Sequence, residues 1–550
     1  MKKGKKFILI LIVLVAFILR FYKVTEIPPS LNWDEASIGV NGYSILKTGK
    51  DEWGQFLPIH FKAYGEFKLP LQVYFSIPAI SVFGLNEIGI RLTPIIYGTL
   101  TVLAIFFLGR LIFQSSLAGY TSAFLLAISP WHIQLTRASF ESSFATFWIV
   151  LGLWFLIKGF KDQRWLLFSM IPFALSVFTY NSARIFTPLF LFAILLIYRN
   201  LFVRFKKTII LSVIIFTILL LPLTPYLLSG ERSARYKLVS ITDDPGLIPR
   251  INQNRGNSRL FKPLPRFVHN KVTYMSFYFV RNYISHFTPQ FLFIGGAPHK
   301  QHHVQNMGQL YFFQAPFLLV GFLGLFFLKH RFRWFLMSYC LIAFIPVSTT
   351  QDSIPHALRT LIAAPFYQLV SAWGFLLSMQ WIRKFSKLVR LSLAAIIVIA
   401  IVGGLQNYLF QFYEVYPRKY SRDWQYGYKQ VVDYIKNHKD MYDQIIFTRH
   451  YGEPHMFTLF YLNYDPAKYQ SDPNLERFET YDWVRVLRFD KFYFPDLGDK
   501  GTQYEDIVRQ NPGKKLLFIG KKGDFPQSSP RLYSINFLNG ENAFDVVEVK

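Results

Sequence analysis

Runs of apolar residues long enough to cross a bilayer recur along most of this 550-residue chain. A spanning helix needs about 20 mostly hydrophobic residues, and runs of this kind lie near 7–22, 88–112, 117–131, 142–158, 165–180, 185–198, 208–228, 309–328, 333–348, 358–381 and 390–411. Inside lipid every backbone N–H and C=O must find a partner within the segment, which makes each run a helix. Composition agrees. Charged residues make up 17% of the chain, against about 25% in soluble domains. The first run has the basic start and apolar core of a signal peptide. Arg20-Phe21-Tyr22-Lys23 follows it instead of a small-residue cleavage site, so it reads as an uncleaved anchor.

The formal charge of +27 raises the question of nucleic acid. The positions of the charges answer it. Lys2, Lys3, Lys5 and Lys6 precede the first run, and Lys158, Lys161 and Arg164 lie between two later ones. Further clusters are Arg199, Arg204, Lys206 and Lys207; Lys329, Arg331 and Arg333; and Arg383, Lys384, Lys387 and Arg390. All sit in short loops, as the positive-inside rule places them on the cytoplasmic side. No continuous basic face with stacked aromatics is present, which excludes nucleic acid as a partner. Eleven crossings with a cytoplasmic N-terminus put every basic cluster inside. The segments 23–87, 131–141, 229–308 and 348–358, the turn at 180–185 and everything after about 412 are then external. The predicted architecture is an α-helical polytopic membrane protein of about 11 transmembrane helices, residues 1–411, in the cell membrane. A small external α/β domain, 412–550, follows it.

The external parts are unequal. In 23–87, Leu69-Pro70-Leu71 leads into Val73-Tyr74-Phe75-Ser76-Ile77, a helix expected to lie in the interface. The 229–308 segment reads as a long basic loop, functional or disordered. After 412, Gly427 to Asn437 has helical spacing, Gln444 to Thr448 and Lys515 to Ile519 look like buried strands, and Asn539-Gly540 marks a hairpin. The single cysteine, Cys340, rules out an intrachain disulfide and sits in an apolar stretch, as a buried inert thiol does.

Ionisable groups gather at the outer ends of the spans, where charge is costly and marks function. Asn32-Trp33-Asp34-Glu35 offers a carboxylate that could act as a general base, or simply a helix N-terminus, which favours acidic residues. Glu66-Phe67-Lys68-Leu69-Pro70-Leu71 places a lysine where it could meet a phosphate or snorkel to lipid headgroups. Arg137 and Glu141, after Ser129-Pro130-Trp131-His132, have the i, i+4 spacing of one helix face and could form an ordinary ion pair. Tyr180 and Arg184 share that spacing at an outer turn, and Arg184 has no acidic neighbour in sequence, so it needs an anionic partner. His356 and Arg359, after Asp352-Ser353-Ile354-Pro355, open the tenth span, where a bound anion would suit both the cations and the helix start. His299, His302 and His303 could present two imidazoles at i, i+4 spacing as metal sites do, but carry no flanking carboxylate. The glycine loop G-x-x-x-x-G-K-[ST] of nucleotide enzymes is absent.

The order of a span, Asp34-Glu35, Lys68-Leu69-Pro70-Leu71, Ser129-Pro130 with Arg137 and Glu141, and a late outer Pro355-His356-Ala357-Leu358-Arg359 resembles the membrane glycosyltransferases of the GT-C type. Within them it is similar to the group holding the protein O-mannosyltransferases and the aminoarabinose transferases (glycosyltransferase family 39 and relatives). The resemblance covers roughly residues 1–410. It implies a GT-C helical bundle with a long first outer loop carrying interfacial helices. It also implies inverting transfer of a sugar from a polyprenyl phosphate to a glycolipid, polysaccharide or protein acceptor outside the membrane. On this resemblance Asp34 is the base and Lys68 faces the donor phosphate. Arg137 with Glu141 forms the arginine–acid pair, and His356 and Arg359 lie near the donor. Glu35, Glu66, Tyr180 and Arg184 complete the expected substrate-binding set. No cofactor is required, since cationic side chains can offset the charge of the leaving phosphate; a divalent metal is compatible with the chemistry but not indicated. Two other functions fit many spans and outer charges: a glycan polymerase or ligase, and a lipid or polysaccharide transporter or flippase. A transporter should show internal repeats and a midplane site, and the chain shows neither.

Overall fold

The computed structural model describes residues 3–228, 239–480, 484–498 and 501–549. The chain forms two compact units.

The first unit comprises Met1–Arg20, Pro94–Thr136 and Phe140–Leu409 and is helical. Each apolar run of the sequence coincides with helix. Among the described residues five helices are long and apolar enough to cross a membrane: Glu87–Phe113, Glu141–Gly159, Lys206–Tyr226, Leu361–Ile382 and Lys387–Tyr420. Shorter apolar helices include Ser116–Ile128, Arg164–Val177, Asn181–Ile197 and Phe312–Phe327. Small residues set the packing. A Cβ at Gly321 would strike the Val370 carbonyl, and one at Gly374 the Phe317 carbonyl, so the two backbones meet directly. Pro130 ends the helix Ser116–Ile128 and orphans its last carbonyls. Arg20, fully buried, donates to them: Nη1 to Ala127 O at 3.1 Å, and Nη2 to Leu126 O at 3.3 Å and to His132 Nδ1 at 2.7 Å. The segment expected as a long loop, 229–308, contains helices among its described residues, Leu247–Gly256, Leu264–Val268 and Lys271–Ser285, joined by irregular stretches. Asn270 starts the last of these by accepting the Thr273 N–H at 3.0 Å. Residues 229–238 lie outside the described ones.

The second unit is discontinuous, made of Phe21–Thr93, Arg137–Ser139 and Phe410–Lys550. Its sheet contains β3 (Gln444–Phe447), β4 (Glu476–Glu479), β5 (Val484–Phe489), β6 (Phe492–Tyr493), β7 (Leu516–Gly520), β8 (Arg531–Asn536) and β9 (Asn542–Val549) in the order β4-β5-β6-β3-β7-β9-β8. β3 is parallel to β6 and β7, and the remaining pairs are antiparallel. The helix Tyr428–His438 buries Tyr428, Val431, Val432 and Ile435, one stripe at helical spacing. The last segment of this unit begins at Phe410, beside the expected boundary at 411/412, and the earlier segments Phe21–Thr93 and Arg137–Ser139 join it. The sheet does not close its core alone: Leu31, Ala36, Val40 and Ile80 from the segment 23–87 pack with Tyr428, Phe457 and Phe460. A Cβ at Gly39 would overlap the Phe460 ring. That segment supplies the helix Trp33–Thr48, the hairpin β1 (Phe61–Ala63) and β2 (Glu66–Lys68), and the helix Pro70–Phe83 where the interfacial helix was expected.

Candidate active site

Asp34 and Glu35 occupy the first turn of the helix Trp33–Thr48, and the fold gives them separate tasks. Asn32 and Glu35 form a capping box: Asn32 Oδ1 accepts the Glu35 N–H at 2.9 Å, and Glu35 Oε2 accepts the Asn32 N–H at 3.3 Å. Glu35 has no exposed side-chain surface, and its carboxylate takes a bidentate grip from Arg91, Nε and Nη2 each at 3.0 Å. Arg91 also donates to the carbonyls of Val24, Pro28 and Ser30. The Ser139 N–H adds a further bond to Glu35 at 3.0 Å. Glu35 is thus a buried tie between the helix start, Arg91 and Ser139. Arg91 was not singled out in the sequence because it lies inside an apolar run, 56 residues from its partner.

Asp34 points the other way. Its carboxylate is 35% exposed, and Oδ1 accepts from Lys68 Nζ at 2.7 Å, Lys68 itself being 3% exposed. β2 ends at Lys68, and the proline that starts the following helix turns the chain there. Lys68 therefore faces the expected base. Glu66 lies on the same strand, its side chain outside the described residues.

Arg137 departs from expectation. The helix Pro130–Arg137 ends at this residue and the next begins at Glu141, so the i, i+4 spacing spans a break at Ala138–Phe140 and does not give one helix face. Arg137 is fully buried. Its Nη2 donates to Tyr22 O and Ile27 O at 2.7 Å, its Nη1 to the Tyr413 hydroxyl at 3.1 Å, and it lies over the Phe412 ring at 5.1 Å. It anchors the backbone that leads into Asp34. Glu141 sits at a helix N-terminus, where negative charge is favoured.

The helical unit carries the other candidates. Tyr180 is the N-cap residue of the helix Asn181–Ile197, and Arg184 lies in its first turn. The Arg184 guanidinium stacks over Tyr226 at 4.6 Å, while its Nε and Nη2 are buried without a hydrogen-bond partner among the described residues. His356 and Arg359 do not open a helix as expected; they precede the helical turn Leu361–Ala363. Arg359 finds its anion in Asp352, Nη2 to Oδ2 at 3.1 Å, and donates to Thr350 Oγ1 at 2.9 Å. The His356 N–H donates to His286 Nε2 at 3.0 Å. The i, i+4 histidine pair, His299 and His303, does not assemble. His303 turns to the Met307 carbonyl, while His299 stacks on His302 with centroids 3.7 Å apart. Among the described residues no group of three or more His, Cys, Asp or Glu is arranged to hold a metal.

A second polar cluster, in the sheet-bearing unit, was not anticipated. Tyr64 packs between Trp33 and His455, with centroids 6.3 and 6.0 Å away. His455 Nδ1 lies 3.5 Å from Glu453 Oε2, and both side chains are buried. Burial pushes the Glu453 carboxyl up to about 7, against the pull of Arg449 and Arg485, and the His455 imidazole down to about 3. Glu52, held by Asn41 at 3.2 Å, is likewise raised to about 7 by burial, against the pull of Arg477.

Residues 69–226 match the dolichyl-phosphate-mannose-protein mannosyltransferase family. The fold is similar to that of ArnT from Cupriavidus metallidurans, solved bound to undecaprenyl phosphate, with TM-score 0.53 and 13% identity over 100% of this chain and 98% of that one. It is also similar to the apo oligosaccharyltransferase from Archaeoglobus fulgidus, with TM-score 0.50 and 15% identity over 84% of this chain. The chain spans 64% of that oligosaccharyltransferase and 62% of the same organism's AglB in complex with an inhibitory peptide and a dolichol-phosphate. Among curated proteins no sequence matches. The chain thus has the fold of the GT-C type membrane glycosyltransferases. Within that class, its sequence match lies with the mannosyltransferase family named above.

Proposed function

We propose that the protein transfers a sugar from a polyprenyl-phosphate donor to an acceptor hydroxyl at the outer face of the membrane, with inversion. The observation that carries this is the pairing of a partly exposed Asp34 with a buried Lys68 at the start of a helix whose position Glu35 and Arg91 fix. The undecaprenyl phosphate bound to ArnT and the family match over 69–226 support a lipid-phosphate donor. In the proposed step the acceptor O–H gives its proton to Asp34 as its oxygen bonds to the anomeric carbon. The bond from that carbon to the phosphate oxygen breaks, and polyprenyl phosphate leaves with the electron pair. Lys68 holds Asp34 Oδ1, which leaves Oδ2 to take the proton. The basic loop clusters support a cytoplasmic N-terminus, and with it an external Asp34 and sheet-bearing unit. Asp34→Asn should abolish transfer from a radiolabelled polyprenyl-phosphate sugar while the purified protein melts as the wild type does. Near-normal turnover by that variant would sink the assignment.

A further inference from the structure

The sheet-bearing unit has a cleft of about 490 Å³ that no expected site residue touches. It opens at the carboxyl ends of β6 and β3. Its walls include Arg449, two residues beyond β3; Asp496, three beyond β6; and Arg488, Tyr493, Glu476 and Thr502. The position has a topological reason. β6 lies on one side of β3, and the chain then runs through the helix Tyr504–Gln510 to β7 on the other side. The connections thus diverge around β3, and in open α/β sheets such a divergence leaves a crevice at the strand ends where ligands bind.

The lining alternates donors and acceptors. Asp496 Oδ2 accepts from Arg449 Nη2 at 2.9 Å and lies 3.8 Å from Arg485. Arg488 Nε is 3.4 Å from Glu476, and its guanidinium covers the Tyr493 ring at 4.6 Å. Arg449 is 13% exposed, and its Nε and Nη1 have no hydrogen-bond partner among the described residues. A phosphate or carboxylate ligand would meet Asp496 and Glu476 on the same wall. A saccharide suits it better. Vicinal hydroxyls donate to carboxylates and accept from guanidinium groups at once, and the C–H face of a sugar ring can lie on an aromatic ring.

The cleft is tied to the candidate base by a single loop. The Gly452 N–H donates to the Arg449 carbonyl at 3.0 Å. Gly452 has φ +126°, and a Cβ there would overlap the Trp33 indole and the Gln425 amide. Gln425 Oε1 in turn accepts the Trp33 N–H at 2.8 Å, one residue before Asp34. The loop that carries Arg449 to the cleft therefore also seats the helix start that carries Asp34.

We infer that this cleft is a saccharide-binding subsite that holds a glycan acceptor at a distance from the reacting hydroxyl. The inference rests on the transferase reading for the word acceptor, and the test is a binding measurement that needs no donor. Full-length protein in detergent would be titrated calorimetrically with a neutral hexose trisaccharide, an N-acetylhexosamine trisaccharide and a uronic-acid trisaccharide. At least one should bind. Arg488→Ala and Tyr493→Ala, each checked for an unchanged melting curve, should weaken it at least tenfold, and Asp34→Asn should leave it unchanged. A third variant, Thr502→Val, covers the case in which either of the first two fails to fold; it should weaken binding at least threefold. Binding by none of the three sugars, or binding that the folded cleft variants do not change, would overturn the subsite. Loss of transfer in Asp34→Asn tests the reaction separately, so the two ideas can fail independently.

Discussion

Replacing Arg91 by leucine removes five hydrogen bonds from a residue with no exposed surface: two to the Glu35 carboxylate and three to the carbonyls of Val24, Pro28 and Ser30. Glu35 would then be a buried carboxylate held, among the described residues, by the N–H groups of Asn32 and Ser139. Breaking a buried pair by deleting one partner costs about 3–5 kcal/mol, mostly because the other charge is left uncompensated. A double variant separates the charge from the rest. In Arg91→Leu with Glu35→Leu the three carbonyls still lack their donor, so that cost cancels in the comparison, while the stranded carboxylate is gone. The double variant should therefore be at least about 2 kcal/mol more stable than the sum of the two single losses predicts. Urea unfolding in detergent, followed by far-UV circular dichroism of all four proteins, measures this coupling. Additivity within about 0.5 kcal/mol would refute the picture of a coupled buried tie. Both single variants should also lose transferase turnover, because the capping box that Glu35 completes sets the direction of Asp34.

Three further outcomes follow from particular residues. Gly452→Ala places a Cβ in the Trp33 indole at a positive φ and should cost about 1–3 kcal/mol, read as a lowered melting temperature; an unchanged melt would mean that the loop is not seated there. Glu52 keeps its proton in the folded state up to about pH 7, against 4.5 as its ordinary value, with Arg477, Asp51 and Asn41 facing it. The folded protein binds the extra proton, so stability falls as pH rises from about 4.5 to about 7 and is level above that, a loss of about 3 kcal/mol from this group. Relative to its own value near pH 4.5, Glu52→Gln should gain on the wild type up to about pH 7 and hold that margin above it, and parallel stability curves would rule this out. Arg184→Met gives up stacking on Tyr226 worth about 1 kcal/mol, yet should weaken binding of polyprenyl phosphate at least tenfold by equilibrium dialysis; unchanged affinity would remove Arg184 from anion binding.

What the amino-acid order determined by itself is local. Each apolar run became a helix, because a backbone surrounded by hydrocarbon side chains bonds within its own segment. The strands Gln444–Phe447 and Leu516–Gly520, the helix Tyr428–His438 and the hairpin of β8 and β9 also appeared near where composition and spacing put them. Asn32 and Glu35, three residues apart, already carried the sequence mark of a capping box. The partners of the charged groups were a different matter. Arg91 reaches Glu35 across 56 positions, Arg137 reaches Ile27 across 110, and Lys68 reaches Asp34 across 34. Arg137 and Glu141, four residues apart, belong to different helices, and His299 chose His302 over His303. Periodicity reports only which neighbours within a few residues share a face. Which charge a buried charge meets is decided when distant segments pack and the groups they strip of water must pair. Only tertiary structure could therefore make Glu35 the hidden tie, Asp34 the partly exposed carboxylate, and the Arg449 cleft the continuation of the same loop.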